Sequence, residues 1–155
     1  MKLREFIVTE AITPELKSSD RDGAIRELVE ALATAGTLPA DAVEEVIAAL
    51  VKREQNGSTG FGKGVAVPHV KHPAVKKMAG TVGCSEAGLD FAALDSQPVY
   101  SIFLLLSPEH QPQQHLQAMH IVFANLQKDM FRRFLRQSDS RQKIVDLLDE
   151  ADAEK

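Results

Sequence analysis

The sequence predicts an α/β layer fold, and three observations carry that prediction. Apolar residues recur at helical spacing both before and after the middle of the chain. A nearly unbroken apolar run, Val99 to Leu106, lies between those regions, and glycines and prolines punctuate each change of pattern. Helices before, between and after strands pack as layers on a mainly buried sheet. A length of 155 residues, 44% apolar and 26% charged, suits a single domain with its own core. We place that domain at residues 1–150 and expect 151–155 to be a frayed tail.

Taken in order, a short strand is expected near Ala11 to Leu16. Asp20 can cap a helix whose Ala24, Ile25, Leu28, Val29 and Leu32 share one face, with Gly36 closing it. Pro39 opens a second helix, in which Val43, Val46, Ile47, Leu50 and Val51 repeat at the same spacing. Four glycines within eight residues (Gly57, Gly60, Gly62, Gly64) then make a loop. Val65 to Val67 reads as a strand that Pro68, lacking an N–H, should stop. Thr81 to Cys84 and Val99 to Leu106 read as strands, the second buried on both faces. Helices follow from about Pro112 to Gln127, from Asp129 to Arg136, and from a Ser138 or Ser140 cap through Leu148. Nothing local specifies strand order or direction.

Composition narrows the function. A net charge of −4 supplies no basic surplus for neutralising nucleic acid phosphates, although Lys71, Lys76 and Lys77 cluster in sequence. The single cysteine, Cys84, permits no intrachain disulfide and suits a reducing compartment. Met1 to Glu5 never develops into a signal-peptide core, and the longest apolar run is too short for a bilayer. We therefore expect a cytoplasmic protein with no membrane insertion. Oligomeric state is not encoded in any pattern we identify.

Two chemical motifs fail on physical grounds. Gly57 to Gly64 nearly matches a phosphate-cradling P-loop, but Gly64 stands where a magnesium-binding hydroxyl is needed. The element order is also reversed, with a helix before the loop and a strand after it. His69-x2-His72 and His115-x4-His120 superficially offer four metal ligands. Five residues on one helix turn the second pair apart by roughly 140°, and no cysteine or carboxylate completes the set. No metal and no cofactor are expected.

His69 is the more promising residue, because it follows Pro68 at a strand end, where α/β folds usually place chemistry. On spacing alone it could equally be a surface histidine in a turn. From Arg53 the chain reads Arg-Glu-Gln-Asn-Gly-Ser-Thr-Gly-Phe-Gly-Lys-Gly-Val-Ala-Val-Pro-His. This resembles the signature of the fructose/mannitol-type enzyme IIA family of bacterial phosphotransferase systems, including its nitrogen-regulatory branch. The likeness continues through Phe91, Asp95, Gln97-Pro98-Val99, Pro108 and Gln114-His115-Leu116. One departure is Val70, where the family usually has glycine or alanine; a β-branched neighbour stiffens the backbone beside the histidine.

The resemblance implies a single-domain fold with a central mixed sheet flanked by helices. It also implies that His69 accepts a phosphoryl group from the carrier HPr or a nitrogen-branch counterpart. Imidazole suits this, being neutral and nucleophilic near pH 7. By the same likeness His115 would donate a hydrogen bond to the transferring group. Arg53 would stabilise its charge or hold the glycine loop, and Ser58 and Thr59 would supply hydroxyl or backbone donors. The plainer alternatives are a cation in the last turn of its helix for Arg53 and a surface histidine for His115. His72, His110 and His120 match no family position and are expected to be structural or exposed. Around His69, the apolar Phe61, Val65, Val67, Pro68 and Val70 suggest a docking rim. Partners would be the carrier, a IIB subunit or a regulated target. Two other functions remain open: a non-catalytic interaction module, and a sugar-specific IIA passing phosphate to IIB.

Overall fold

A computed structural model describes residues 1–154. Among the described residues there are five helices and five strands, with short 3-10 turns at Leu3–Glu5 and Thr9–Ala11 before the first helix and at Ala40–Ala42 between the first and second. Helix α1 (Arg21–Thr34) is capped by Asp20, whose carboxylate accepts from Gly23 N at 2.7 Å. The face expected to be buried, Ala24, Ile25, Leu28, Val29 and Leu32, is the buried one. Pro39 starts a 3-10 turn before α2 (Val43–Gln55), which buries Val46, Ile47, Leu50 and, unexpectedly, Glu54.

The sheet is mixed. Strands β1 (Gly60–Gly62), β2 (Val65–Ala66) and β3 (His69–Lys71) precede the long β4 (Ala79–Leu89) and β5 (Val99–Ser107). Strand β5 is the spine: β2 and β3 pair with one edge of it in parallel, and β4 pairs antiparallel with the other. Its side chains alternate between two cores. Ile102, Leu104 and Leu106 pack with α1 and α2 on one face. Phe103 and Leu105 pack on the other with α3 (Pro112–Leu126), α4 (Asp129–Gln137) and α5 (Arg141–Ala153). That two-sided burial is why the strand reads as a continuous apolar run.

Several sequence expectations need correction. Ala11 to Leu16 is not a strand: Thr9–Ala11 is a 3-10 turn, and Thr13 makes only an isolated parallel bridge to Gly83. Leu16 N, where a continuous ladder would use Glu15 N, reaches the Cys84 carbonyl at 2.8 Å, so the pairing slips by one residue and no strand forms. The glycine loop is partly strand, since Gly60–Gly62 pairs antiparallel with β2. Pro68 does not end the strand line. Its carbonyl accepts from Leu105 N at 2.9 Å, and the chain resumes as β3 on the same edge of β5. Strand β4 is longer than Thr81 to Cys84, because its glycines hide it from a propensity count. At Gly83 a Cβ would approach Leu28 to 2.9 Å, so the bare backbone is what lets α1 lie close to the sheet.

The C-terminal helix also outruns its expected end. Ser140, not Ser138, caps it by accepting from Lys143 N at 3.2 Å, and it continues to Ala153. Asp152, expected in a frayed tail, accepts from Leu3 N at 2.7 Å and Arg4 N at 3.0 Å, tying the helix end to the first turn. Of that expected tail, Lys155 lies outside the described residues. Cys84 is buried as a free thiol. Among the described residues no helix is long and apolar enough to cross a membrane.

Candidate functional site

The start of β3 and the carboxyl end of β5 bring two histidines together. Parallel pairing sets His69 opposite Leu105 and Lys71 opposite Ser107, and the chain then turns through Pro108 into α3, which carries His115 in its first turn. The rings of His69 and His115 lie 5.5 Å apart between centroids, tilted by 45°. Residues 46 positions apart in sequence thus face one another.

His69 is half-buried, with its Nδ1 2.7 Å from the Val67 carbonyl oxygen. A carbonyl can only accept, so Nδ1 carries the proton and Nε2 keeps the lone pair. Burial pulls the His69 pKa below the ordinary histidine value, and Arg53 and Lys71 push the same way against the Val67 hydrogen bond and Glu54. The ring is consequently neutral at pH 7, with its free nitrogen available as a nucleophile.

His115 is 7% exposed, and its Nδ1 lies 2.7 Å from the hydroxyl of the fully buried Ser107. Burial, reinforced by His69 and Lys71, lowers its pKa to about 4, so it too is neutral. The Ser107 hydroxyl has no other partner among the described residues. If it accepted from Nδ1, its own buried proton would be stranded. Donating to Nδ1 satisfies both groups and leaves the His115 proton on Nε2, as a donor. One imidazole is therefore arranged to attack and the other to donate.

The glycine loop is held by its own side chains. Glu54, buried at 3% exposure, accepts from Thr59 N at 3.0 Å and from the Thr59 hydroxyl. Ser58 Oγ donates to the Phe91 carbonyl at 2.6 Å and accepts from Gly60 N at 3.0 Å. The two hydroxyls suggested as donors to a bound group are thus engaged in shaping the loop. Arg53 is exposed and donates to the Gly57 carbonyl at 2.7 Å. It spans the loop while contributing positive potential at His69.

Three residues of the site have roles that the sequence reading did not assign. Glu54 sits in the last turn of α2, where a carboxylate opposes the helix dipole; that mismatch is the signal that something must hold it. Ser107 closes an apolar strand and shows no distinguishing pattern. Lys71 was noticed only as part of a basic run, yet it acts electrostatically on both histidines. Of the suggested apolar rim, Val65, Val67 and Pro68 are buried, Val70 is half-buried, and Phe61 packs on Phe123 with centroids 5.1 Å apart. Both faces of the sheet are covered by helices, so most of that rim is turned inward.

The other histidines lie apart from this pair. His72 is buried, accepting from Ala74 N at 3.0 Å and lying 3.9 Å from a Glu45 carboxylate oxygen; His110 and His120 are exposed. Among the described residues no three His, Cys, Asp or Glu side chains gather as a metal set.

Comparison with known proteins shows the family and the fold. Residues 5–151 match the family described as phosphoenolpyruvate-dependent sugar phosphotransferase system, EIIA 2. A nitrogen regulatory protein of Bradyrhizobium diazoefficiens is 34% identical over 148 residues, covering 96% of this chain and 95% of the relative. The fructose-specific EIIABC component of Bacillus subtilis is 31% identical over 98% of this chain, which spans only 24% of that longer protein. Among solved structures, nitrogen regulatory protein IIA-Ntr from Neisseria meningitidis superposes with a TM-score of 0.83 at 28% identity, covering 93% of this chain and 97% of that one.

Proposed function

We propose that this chain, which belongs to the EIIA 2 family of the phosphoenolpyruvate-dependent sugar phosphotransferase system, carries its phosphoryl group on Nε2 of His69. The observation that carries the assignment is the bond from His69 Nδ1 to the Val67 carbonyl, which fixes the tautomer and leaves Nε2 as the free nucleophile. The donor is a phosphohistidine on an HPr-type carrier. The Nε2 lone pair forms the new N–P bond as the donor's N–P bond breaks, and the released electron pair returns to the donor imidazole. Such transfers need alignment and charge stabilisation more than covalent help. The Nε2–H of His115 donates to a phosphoryl oxygen, and Arg53 and Lys71 supply positive potential.

The test is transfer of labelled phosphate from the phosphorylated carrier. Wild-type protein should take up one acid-labile, alkali-stable group, and His69→Ala none; persistent labelling of that variant would remove His69 from the role. Arg53→Ala should keep the fold and slow transfer, at a cost on the order of 2–4 kcal/mol of barrier.

We further propose that the output is regulatory. The support is likeness to nitrogen regulatory proteins, that of Bradyrhizobium in sequence and that of Neisseria in fold. A phosphoryl group adds roughly −1.5 to −2 charges beside the two histidines. At least one protein partner should then distinguish the two forms by about tenfold or more, near 1.4 kcal/mol. Equal recovery and affinity with both forms would leave simple phosphoryl carriage to a IIB subunit.

A further inference from the structure

We infer that a second anion site lies at the opposite end of β5 from the histidines, in a cleft between the β1–β2 turn, the start of β5 and α4. Its occupant is a small oxyanion of the phosphate class, free or as a sugar monoester. The cleft has a volume of about 290 Å³ and is lined by Lys63, Gly64, Asp95, Tyr100, Arg132 and Arg136, among others. Val65 pairs with Ser101 and His69 with Leu105, four residues further along the same strand. At about 3.3 Å per residue the two sites are roughly 13 Å apart along β5.

Three cations converge there and are incompletely neutralised. Arg132 pairs with Asp129 and donates to the Leu126 carbonyl at 2.6 Å, which pins its guanidinium. The guanidinium carbon of Arg136 lies over the Tyr100 ring, 3.6 Å from the centroid, so the cation is held without a carboxylate. Among the described residues, neither Arg136 nor Lys63 forms an ion pair. The one carboxylate in the lining, Asp95, stays charged, accepting from the backbone N–H groups of Lys63 at 3.0 Å and Gln97 at 3.1 Å, and it offsets one of the three cations without pairing with any of them. A pre-set guanidinium beside a free ammonium is the donor set that selects phosphate-type oxyanions.

Lys63 also adopts a backbone that favours glycine, with φ of 61° between Gly62 and Gly64. A long cationic side chain held where glycine would be easier is an outlier that calls for a function. The same lysine produced the resemblance to a P-loop, yet the phosphoryl-transfer chemistry at His69 leaves it unused. Size sets the ligand class: the cavity falls at the lower edge of small-molecule pockets, which suits phosphate or a phosphosugar and leaves no room for a nucleotide.

The experiment is a two-dimensional amide NMR titration of the full chain at constant ionic strength, with inorganic phosphate, glucose 6-phosphate, glucose and sodium chloride. Phosphate and glucose 6-phosphate should give saturable shifts at Gly64, Tyr100 and Arg136, and glucose and chloride none. Tighter binding of glucose 6-phosphate would identify a phosphosugar; equal or weaker binding would identify free phosphate. Arg136→Gln should weaken binding by about tenfold or more, the loss expected for a charge-assisted contact. Lys63→Gly should also weaken it without lowering the melting temperature, because glycine relieves the strained backbone. His69→Ala should leave these shifts intact. Non-saturating shifts, equal shifts with chloride, unchanged affinity in both cation variants, or loss of binding in His69→Ala would each overturn the inference.

Discussion

Truncating Glu54 to alanine removes both acceptors that hold Thr59, and the cost can be worked from the structure. The Thr59 N–H and hydroxyl are buried and both point at this carboxylate. Stranding a buried donor costs about 1–3 kcal/mol, so two give about 2–4 kcal/mol once partial relaxation is allowed. Against this, removing a carboxylate from the last turn of α2 returns about 0.3–1 kcal/mol of helix-dipole repulsion. The net expectation for Glu54→Ala is a loss of about 2–3 kcal/mol. Glu54→Gln behaves differently. Its carbonyl can still accept from the Thr59 N–H, and its amide can donate to the Thr59 oxygen if the hydroxyl rotates. That swap exchanges two charge-assisted bonds for neutral ones, a loss of about 1 kcal/mol. Urea denaturation followed by far-ultraviolet circular dichroism resolves the two, since the chain has no tryptophan to report by fluorescence. Phosphoryl uptake should follow the same order, because Thr59 and Gly60 lead directly into the hairpin before His69. If alanine leaves the midpoint unmoved or raises it, the dipole term has won. Glu54 would then be a bystander and the loop would be held by Arg53 and Ser58 alone.

The remaining expectations concern the histidines and the sheet. His115 has a folded pKa of about 4 against an ordinary value near 6.5, so the unfolded chain binds more protons between those limits. Its contribution to stability should be full above about pH 6.5 and lost as pH falls toward 4, by about 1–2 kcal/mol after solvent screening. His115→Gln should flatten that part of the pH profile; an unchanged profile would contradict the buried neutral ring. Ser107→Ala should let the His115 proton exchange between its two nitrogens and slow transfer by about tenfold, read by nitrogen NMR and by labelling; a single unchanged tautomer would contradict the donor arrangement. Thr81 Oγ1 is buried with no hydrogen-bond partner among the described residues, so Thr81→Val should stabilise the protein by about 1 kcal/mol in a melting comparison, and a lower melting temperature would point to a partner for that hydroxyl.

Local pattern and local chemistry were enough for a large part of this protein. The buried stripes of α1 and α2 and the doubly buried β5 were legible because helix and strand periodicities are properties of neighbouring residues. His69 was singled out by its own context, after a proline at the end of an apolar triplet and within a run of residues resembling a known family. The α/β class and the mixed sheet agree with those expectations.

Tertiary structure decided what depends on residues far apart in the chain. That β2 and β3 share one edge of β5, and that the strand line passes through Pro68, follows from Leu105 N reaching the Pro68 carbonyl. No window around Pro68 contains that donor. The 5.5 Å approach of His69 and His115 exists only because parallel pairing sets β3 beside the end of β5, where the chain turns into α3. The same closure buries Ser107 against His115 and turns Val65 and Val67 inward from the suggested rim. It also ties Asp152 to the first turn, making helix of residues that, judged alone, had nothing to hold them. Burial and proton position are set by the neighbours that folding supplies, so identity alone could nominate the two histidines while only packing could leave one with a free Nε2 lone pair and the other with an Nε2 proton.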